Sequence, residues 1–167
     1  KFYADNSLSP VVNWVYGPDE HDDHIDYVLL YPTSRLRSDA LPKLEPDLPI
    51  FTNYLAATLN GNTSSVLPMY YAPPACLRIL DPDIDRVNRT IPEQSLMRFA
   101  APLSNLELIS SEKTARMPDV YGPEPEHGWC YYFQQSELAR QLNDWGQVIS
   151  LGDTALQMNR PSQEPAE

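Results

Sequence analysis

Between Trp129 and Met158 the chain runs without a proline, although it carries 17 of them in 167 residues. Trp145, Val148, Ile149, Gly152, Ala155 and Leu156 fall on one face of a 3.6-residue period. Tyr131, Leu138 and Leu142 repeat the pattern upstream, with Tyr132 and Ala139 beside them. The spacing predicts two helices joined at Asn143-Asp144. Asp144 suits an N-cap, and Gln147 three residues on completes a capping box. Asn143 tolerates the left-handed conformation that ends a preceding helix. Pro161 stands where the second helix must stop. Trp145 is the largest side chain on the second face and is expected to anchor the pair by burial. Val148, Ile149, Ala155 and Leu156 are expected to pack with it.

The rest of the chain alternates short apolar runs with turn residues. Leu8, Val11, Val12 and Val15 lie on one helical face, with Pro10 near the start and Gly17-Pro18 at the end, so a short helix is expected over 6–16, with a strand as the rival because Val and Tyr favour strands. Tyr27-Val-Leu-Leu-Tyr31 is a continuous apolar run stopped by Pro32, which predicts a central strand buried on both faces. Phe51 to Leu59 alternates, with Phe51, Leu55, Ala57 and Leu59 on one face. Asn60-Gly61-Asn62-Thr63 then predicts a turn, with Ser65–Tyr71 returning as partner strand and Pro68 placing it at an edge. Cys76–Leu80 reads as a further strand, 91–101 as a helix entered at Pro92, and 105–109 as a strand.

Charge narrows the function classes. The formal net charge is −11, a surface that repels phosphate backbones and anionic bilayers. No apolar run approaches the ~20 residues that span a bilayer. The chain opens on Lys1 without a signal peptide, as a mature or excised fragment would.

Candidate chemistry is sparse. Asp19 to Asp26 is the densest polar cluster. Its residues His21, Asp22, Asp23 and His24 could hold a divalent metal. The helical His-Glu-x-x-His pattern is absent and Gly-Pro precedes the cluster, so a solvated acidic loop is the plainer reading. Cys76 and Cys130 are too few for a zinc site by themselves. They stand either as two buried thiols or as one disulfide, whose loop would be worth ~4 kcal/mol. His127 near Cys130 is a conceivable nucleophile pair, but Cys130 lies between Trp129 and Tyr131 as a core residue would. The pairs Tyr70-Tyr71 and Tyr131-Tyr132 offer a sugar-stacking platform, against the simpler reading that they are core. No catalytic residue and no cofactor is assigned.

Two resemblances add to this. Asn143-Asp144-Trp145 stands where a tetratricopeptide repeat has Gly-Asp-Tyr between its helices. Val148 and Ala155 fall on its small positions, and Ala155-Leu-Gln-Met158 resembles its closing run. Gly152, Ala139 and the late Pro161 depart from it. A lone repeat cannot bury both faces. Four further stretches are Asp5-Asn-Ser-Leu with Asn13-Trp-Val-Tyr16, Tyr70-Tyr-Ala-Pro-Pro-Ala-Cys-Leu-Arg-Ile-Leu-Asp-Pro82, Pro102-Leu-Ser-Asn105 and His127-Gly-Trp-Cys-Tyr-Tyr-Phe133. Together they resemble the C-terminal soluble region of multi-spanning bacterial membrane proteins similar to dolichyl-phosphate-mannose-type glycosyltransferases. That resemblance implies a catalytic carboxylate upstream of this chain, so no residue here inherits the role.

The expected fold is therefore α/β, a mixed sheet with a β-hairpin and flanking helices, closed by a TPR-like helical hairpin. Residues 1–126 would form the sheet domain, 127–160 the hairpin packed on it, and 161–167 a tail. The expected function is a non-catalytic, extracytoplasmic domain of a membrane protein that serves packing or partner docking; the cytoplasmic side is the alternative placement. Its expected partners are the membrane-spanning part of the same chain and a protein or glycan, not nucleic acid. The rival readings are a carbohydrate-binding module using the tyrosines and a metal-dependent enzyme using His21 and His24.

Overall fold

The computed structural model describes residues 5–17, 23–29, 44–54, 56–93, 95–110, 118–158 and 162. Among them are four α-helices and two antiparallel two-stranded sheets, so the chain is mixed α and β. No described helix is long and apolar enough to cross a membrane. The chain divides into two compact units, Lys1–Val66 with Pro102–Pro123, and Leu67–Ala101 with Glu124–Glu167.

In the first unit, α1 spans Asp5–Tyr16. The Gly17 N–H closes it onto the Asn13 carbonyl at 2.8 Å, and a Cβ at Gly17 would lie 2.4 Å from that oxygen, so only glycine fits. Residues 27–29 form no strand, contrary to the expectation for Tyr27–Tyr31, whose last two residues lie outside the described ones. The reason is polar. The Asn13 side chain accepts from the N–H of Asp26 and Tyr27 (2.9 and 3.0 Å) and donates to the Tyr27 carbonyl (2.6 Å). The buried Ser9 hydroxyl accepts from Leu29 N–H at 3.0 Å. Side chains of α1 thus satisfy backbone groups that a sheet would otherwise have to pair.

The first sheet pairs β1, Pro49–Tyr54, with β2, Ala57–Asn62, in a register that sets Tyr54 opposite Ala57 and Ile50 opposite Gly61. Asn60-Gly61-Asn62 is therefore strand, not turn. Ile50 is buried and Phe51 is 57% exposed: the register puts Ala57 and Leu59 on the Ile50 face, and Phe51, expected with them, on the other. A Cβ at Gly61 would meet the Leu59 side chain at 3.7 Å and the Ile50 Cβ at 3.9 Å, ordinary contacts, so packing does not require glycine there. Turn chemistry acts one step later, where Asn62 Oδ1 accepts from Ser64 N–H at 2.8 Å and buried Thr63 Oγ1 from Leu48 N–H at 2.8 Å. Residues 105–109 form no strand either. Leu106–Leu108 is a 3₁₀ turn because Asn105 Oδ1 caps the Glu107 N–H at 3.1 Å.

In the second unit, β3, Met69–Tyr70, pairs with β4, Arg78–Ile79. The strand expected to return at Ser65–Tyr71 is thus short and pairs forward. Leu80, Ile91 and Ala101 form a fully buried cluster, with Tyr70 and Met97 packed against it. The helix expected over 91–101 begins only at Leu96: α2 spans Leu96–Ala100 and starts after Ser95, whose hydroxyl accepts from Met97 N–H. Ile91 is committed to the core ahead of it. The two C-terminal helices, α3 (Trp129–Gln141) and α4 (Trp145–Leu156), pack as a hairpin. In place of one mixed sheet with a hairpin beside it, the described residues form two separate small sheets. The second of them lies in the same unit as the hairpin.

Candidate functional site

The hairpin is the best-defined surface of the second unit, and its turn is built by three residues. The Asp144 N–H reaches the Ala139 carbonyl (2.9 Å) and the Asn143 N–H the Arg140 carbonyl (3.0 Å), with Asn143 at φ 59°. That pair of bonds ends α3 as a Schellman motif. Asp144 then starts α4, its carboxylate accepting from Gln147 N–H at 3.0 Å. Ala139 and Ala155 are the buried residues of the two helices, small enough to allow close approach.

A row of links ties α3 to the 76–85 segment. Cys130 is disulfide-bonded to Cys76 (S–S 2.06 Å). One turn on, Gln134 Nε2 donates to the Leu77 carbonyl at 3.1 Å, and the Arg78 guanidinium lies 5.3 Å from the Phe133 ring centroid. At the far end Arg140 donates from both terminal nitrogens to one Asp81 oxygen (3.2 and 3.1 Å) and from one of them to Glu137 at 3.2 Å. Asp81 is nearly buried. Burial would raise its carboxyl, but the N–H groups of Asp83 and Ile84 and the Arg140 guanidinium outweigh that and hold it below the usual aspartate range. Burial likewise opposes the charge on Arg140, and Glu137 and Asp81 more than restore it. Asp85, also buried, accepts from Asp81 N–H (2.7 Å), Asn88 Nδ2 (2.7 Å) and Arg78 (3.3 Å).

The outer side of α4 is different. Trp145 is 58% exposed, Ile149 66% and Leu156 73%, which overturns the expectation that Trp145 anchors the hairpin by burial. Ala155 is buried and Val148 half-buried, so those two do face inward. The apolar arc of α4 is wider than α3 covers: Val148, Leu151 and Ala155 form its inner edge, and Trp145, Ile149, Gly152 and Leu156 its outer one. A Cβ at Gly152 would meet nothing within 4 Å, so the stripe has a notch in its middle. Asp144 and Asp153 are exposed along the same helix.

The other sequence candidates fall elsewhere. His21 and Asp22 lie outside the described residues, as does Pro161. Asp23 and His24 run beside Thr58, whose N–H donates to the Asp23 carbonyl at 2.8 Å and whose carbonyl accepts from Ile25 N–H at 3.0 Å. No group of three or more His, Cys, Asp or Glu residues placed to hold a metal occurs among the described residues. Cys130 is spent in the disulfide, and His127 bonds Glu124 at 2.7 Å and stacks on Tyr131 at 3.5 Å, so the two make no nucleophile pair. Tyr70 packs on the core cluster and Tyr71 is exposed. Tyr131 has one ring face covered by His127, and Tyr132 meets it edge-on at 5.3 Å. Sequence reasoning passed over Asp81, Asp85, Gln134 and Arg140. The spacing in Asp81-Pro-Asp-Ile-Asp85 is a visible Asx-turn signal, whereas Arg140 reads as an ordinary surface arginine until its partner is known. No family model matches this chain, and neither a curated protein nor a solved structure matches it.

Proposed function

We propose that this chain is a non-catalytic docking domain, extracytoplasmic and attached in its parent protein to a membrane-spanning part, with α4 as its contact surface. The observation that carries the reading is the exposed stripe of Trp145, Ile149 and Leu156 on a helix whose inner edge is already packed. Three large apolar side chains in one row cost solubility, and such patches mark interaction sites. The occupant is a helix of a partner protein. A helical ridge fits a straight stripe one helix long, and the Gly152 notch admits a protruding side chain. Asp144 and Asp153 favour basic residues at the partner's edge. In a tetratricopeptide-like arrangement a following helix takes this place, which agrees with the resemblance of 143–158. The Cys76–Cys130 disulfide favours an oxidising compartment and so the outer side of the membrane.

Incorporating a photo-crosslinking amino acid at Ile149 of the intact parent protein in cells, and mapping the joined peptide by mass spectrometry, tests the reading. The expected product joins Ile149 to an apolar helical peptide with lysine or arginine beside it, and is lost with Trp145→Glu. Equal crosslinking from Ile149 and from Ser150, on the polar side of α4, defeats it.

A further inference from the structure

We propose that the second unit carries a separate binding site for a small organic anion, in a cleft beside α2. The cleft has a volume of about 550 Å³ and is lined by Val87, Arg89, Ile91, Pro92, Glu93 and Arg98. Ile91 is fully buried in the Leu80–Ile91–Ala101 cluster, so one wall is fixed by the core. The loop carrying Arg89 is fixed as well: Asn88 Oδ1 accepts from both Thr90 N–H (2.9 Å) and the Thr90 hydroxyl (2.7 Å), while Asn88 Nδ2 donates to buried Asp85 at 2.7 Å. Arg98 donates its Nε to the Arg86 carbonyl at 3.0 Å, which orients the guanidinium and leaves its terminal nitrogens uncommitted. Among the described residues no ion pair or hydrogen bond engages those nitrogens, the Arg89 guanidinium or the Glu93 carboxylate.

Two unpaired guanidiniums in one cleft are out of keeping with a chain of net charge −11. Asp81 and Asp85 of the preceding loop are engaged by Arg140 and Arg78, and Glu93, the one carboxylate of the lining, balances only one of the two guanidiniums. An oxyanion offers planar acceptors that match the guanidinium fork. The overall negative charge does not forbid this, because it is screened beyond roughly 8–10 Å. Val87 and Pro92 give the ligand's body an apolar edge, with Ile91 buried behind them. The ligand class is therefore a carboxylate or phosphomonoester on a compact body.

Titrating the intact chain at low ionic strength with phenyl phosphate, benzoate and the neutral benzyl alcohol, followed by ligand-detected NMR, tests the site. Both anions, or one of them, bind and the alcohol does not; the tighter anion names the acid class. Arg89→Gln and Arg98→Gln each weaken binding about tenfold, which is the loss of one charged bond of ~1.4 kcal/mol. Arg86→Gln, outside the cleft, changes it less than about twofold. Arg98 also braces the loop, so Arg89→Gln, whose side chain makes no bond among the described residues, keeps the test valid if Arg98→Gln unfolds. Binding of the alcohol as tight as the anions, no binding of either anion at millimolar concentration, or equal weakening by all three arginine variants overturns the site.

Discussion

Helices α3 and α4 are neighbours of nearly equal length in one hairpin, yet they are held by opposite means. Polar and covalent links tie α3 to the 76–85 segment at three successive places: Cys130, Gln134 and Arg140. Its single buried apolar residue is Ala139. α4 has no such link among the described residues. It is held by its cap and by an inner edge of small and medium side chains, while its largest ones face outward. The comparison teaches that hydrophobic residues on a helix do not by themselves say which side is core. α3 is fixed with little apolar burial, and α4 keeps apolar surface in reserve.

The largest expected effect breaks α3 loose. Replacing both Cys76 and Cys130 with serine opens a loop with a sequence separation of 54. The double variant should lose ~4 kcal/mol in a urea melt, the chain-entropy value for such a loop. A loss under ~1 kcal/mol would mean that Gln134, Arg78 and Arg140 hold α3 without the bond.

Next in size is the ion pair at the other end. Asp81→Asn keeps the acceptor for Asp83 and Ile84 but removes the charge facing Arg140, and should cost ~2–3 kcal/mol. The same carboxylate makes the unit acid-sensitive. Its folded pKa lies below the ordinary value of 3.8, so its stabilisation is complete above that value and is lost as pH falls through the folded one. Arg140 is shifted upward, so its share is fully present below the ordinary arginine range and does not vary over the working range. Thermal melts below pH ~4 should therefore fall less steeply for Asp81→Asn than for the parent. Parallel slopes would remove Asp81 as the source.

How much of this was legible in the sequence follows from what each element depends on. The hairpin junction was legible because Asn143, Asp144 and Gln147 act on their own backbone within a few residues. α1 was legible for the same reason. The strands were legible only in part: Arg78–Ile79 lies within the strand expected at Cys76–Leu80 and Met69–Tyr70 within Ser65–Tyr71, but the pairings were not. Tyr27–Leu29 is apolar enough for a sheet, but its backbone is taken by Asn13 and Ser9, residues far away in sequence. Asn60-Gly61-Asn62 has turn propensity, but the register with Ile50 makes it strand. At the candidate site, the stripe's residues were visible by period. Their direction was not, since it depends on how far α3 covers α4. Arg89 and Arg98 carried no pattern that periodicity or motif could detect.

A smaller effect concerns how α4 begins. Asp144→Ala removes the bond to Gln147 N–H and should cost ~1 kcal/mol in the same urea melt. Asp144→Asn, which keeps an acceptor, should recover most of it. An equal loss in both would show that the charge at the helix start matters more than the hydrogen bond.

The smallest expected effect on stability falls on the largest side chain. With Trp145 more than half exposed, Trp145→Ala should change the urea midpoint by no more than ~0.5 kcal/mol, as surface substitutions do. A buried aromatic at that position would cost ~3–5 kcal/mol. Trp145 follows the cap directly and opens the outer stripe, so its indole is the broadest piece of that surface offered to a partner. The two measurements must therefore part company: a melt that barely moves, and a photo-crosslink from Ile149 that drops severalfold in the same variant. If instead the melt shifts by several kcal/mol, the indole is packed in solution. α4 is then held by burial against its own unit, and the outer stripe is not a docking surface.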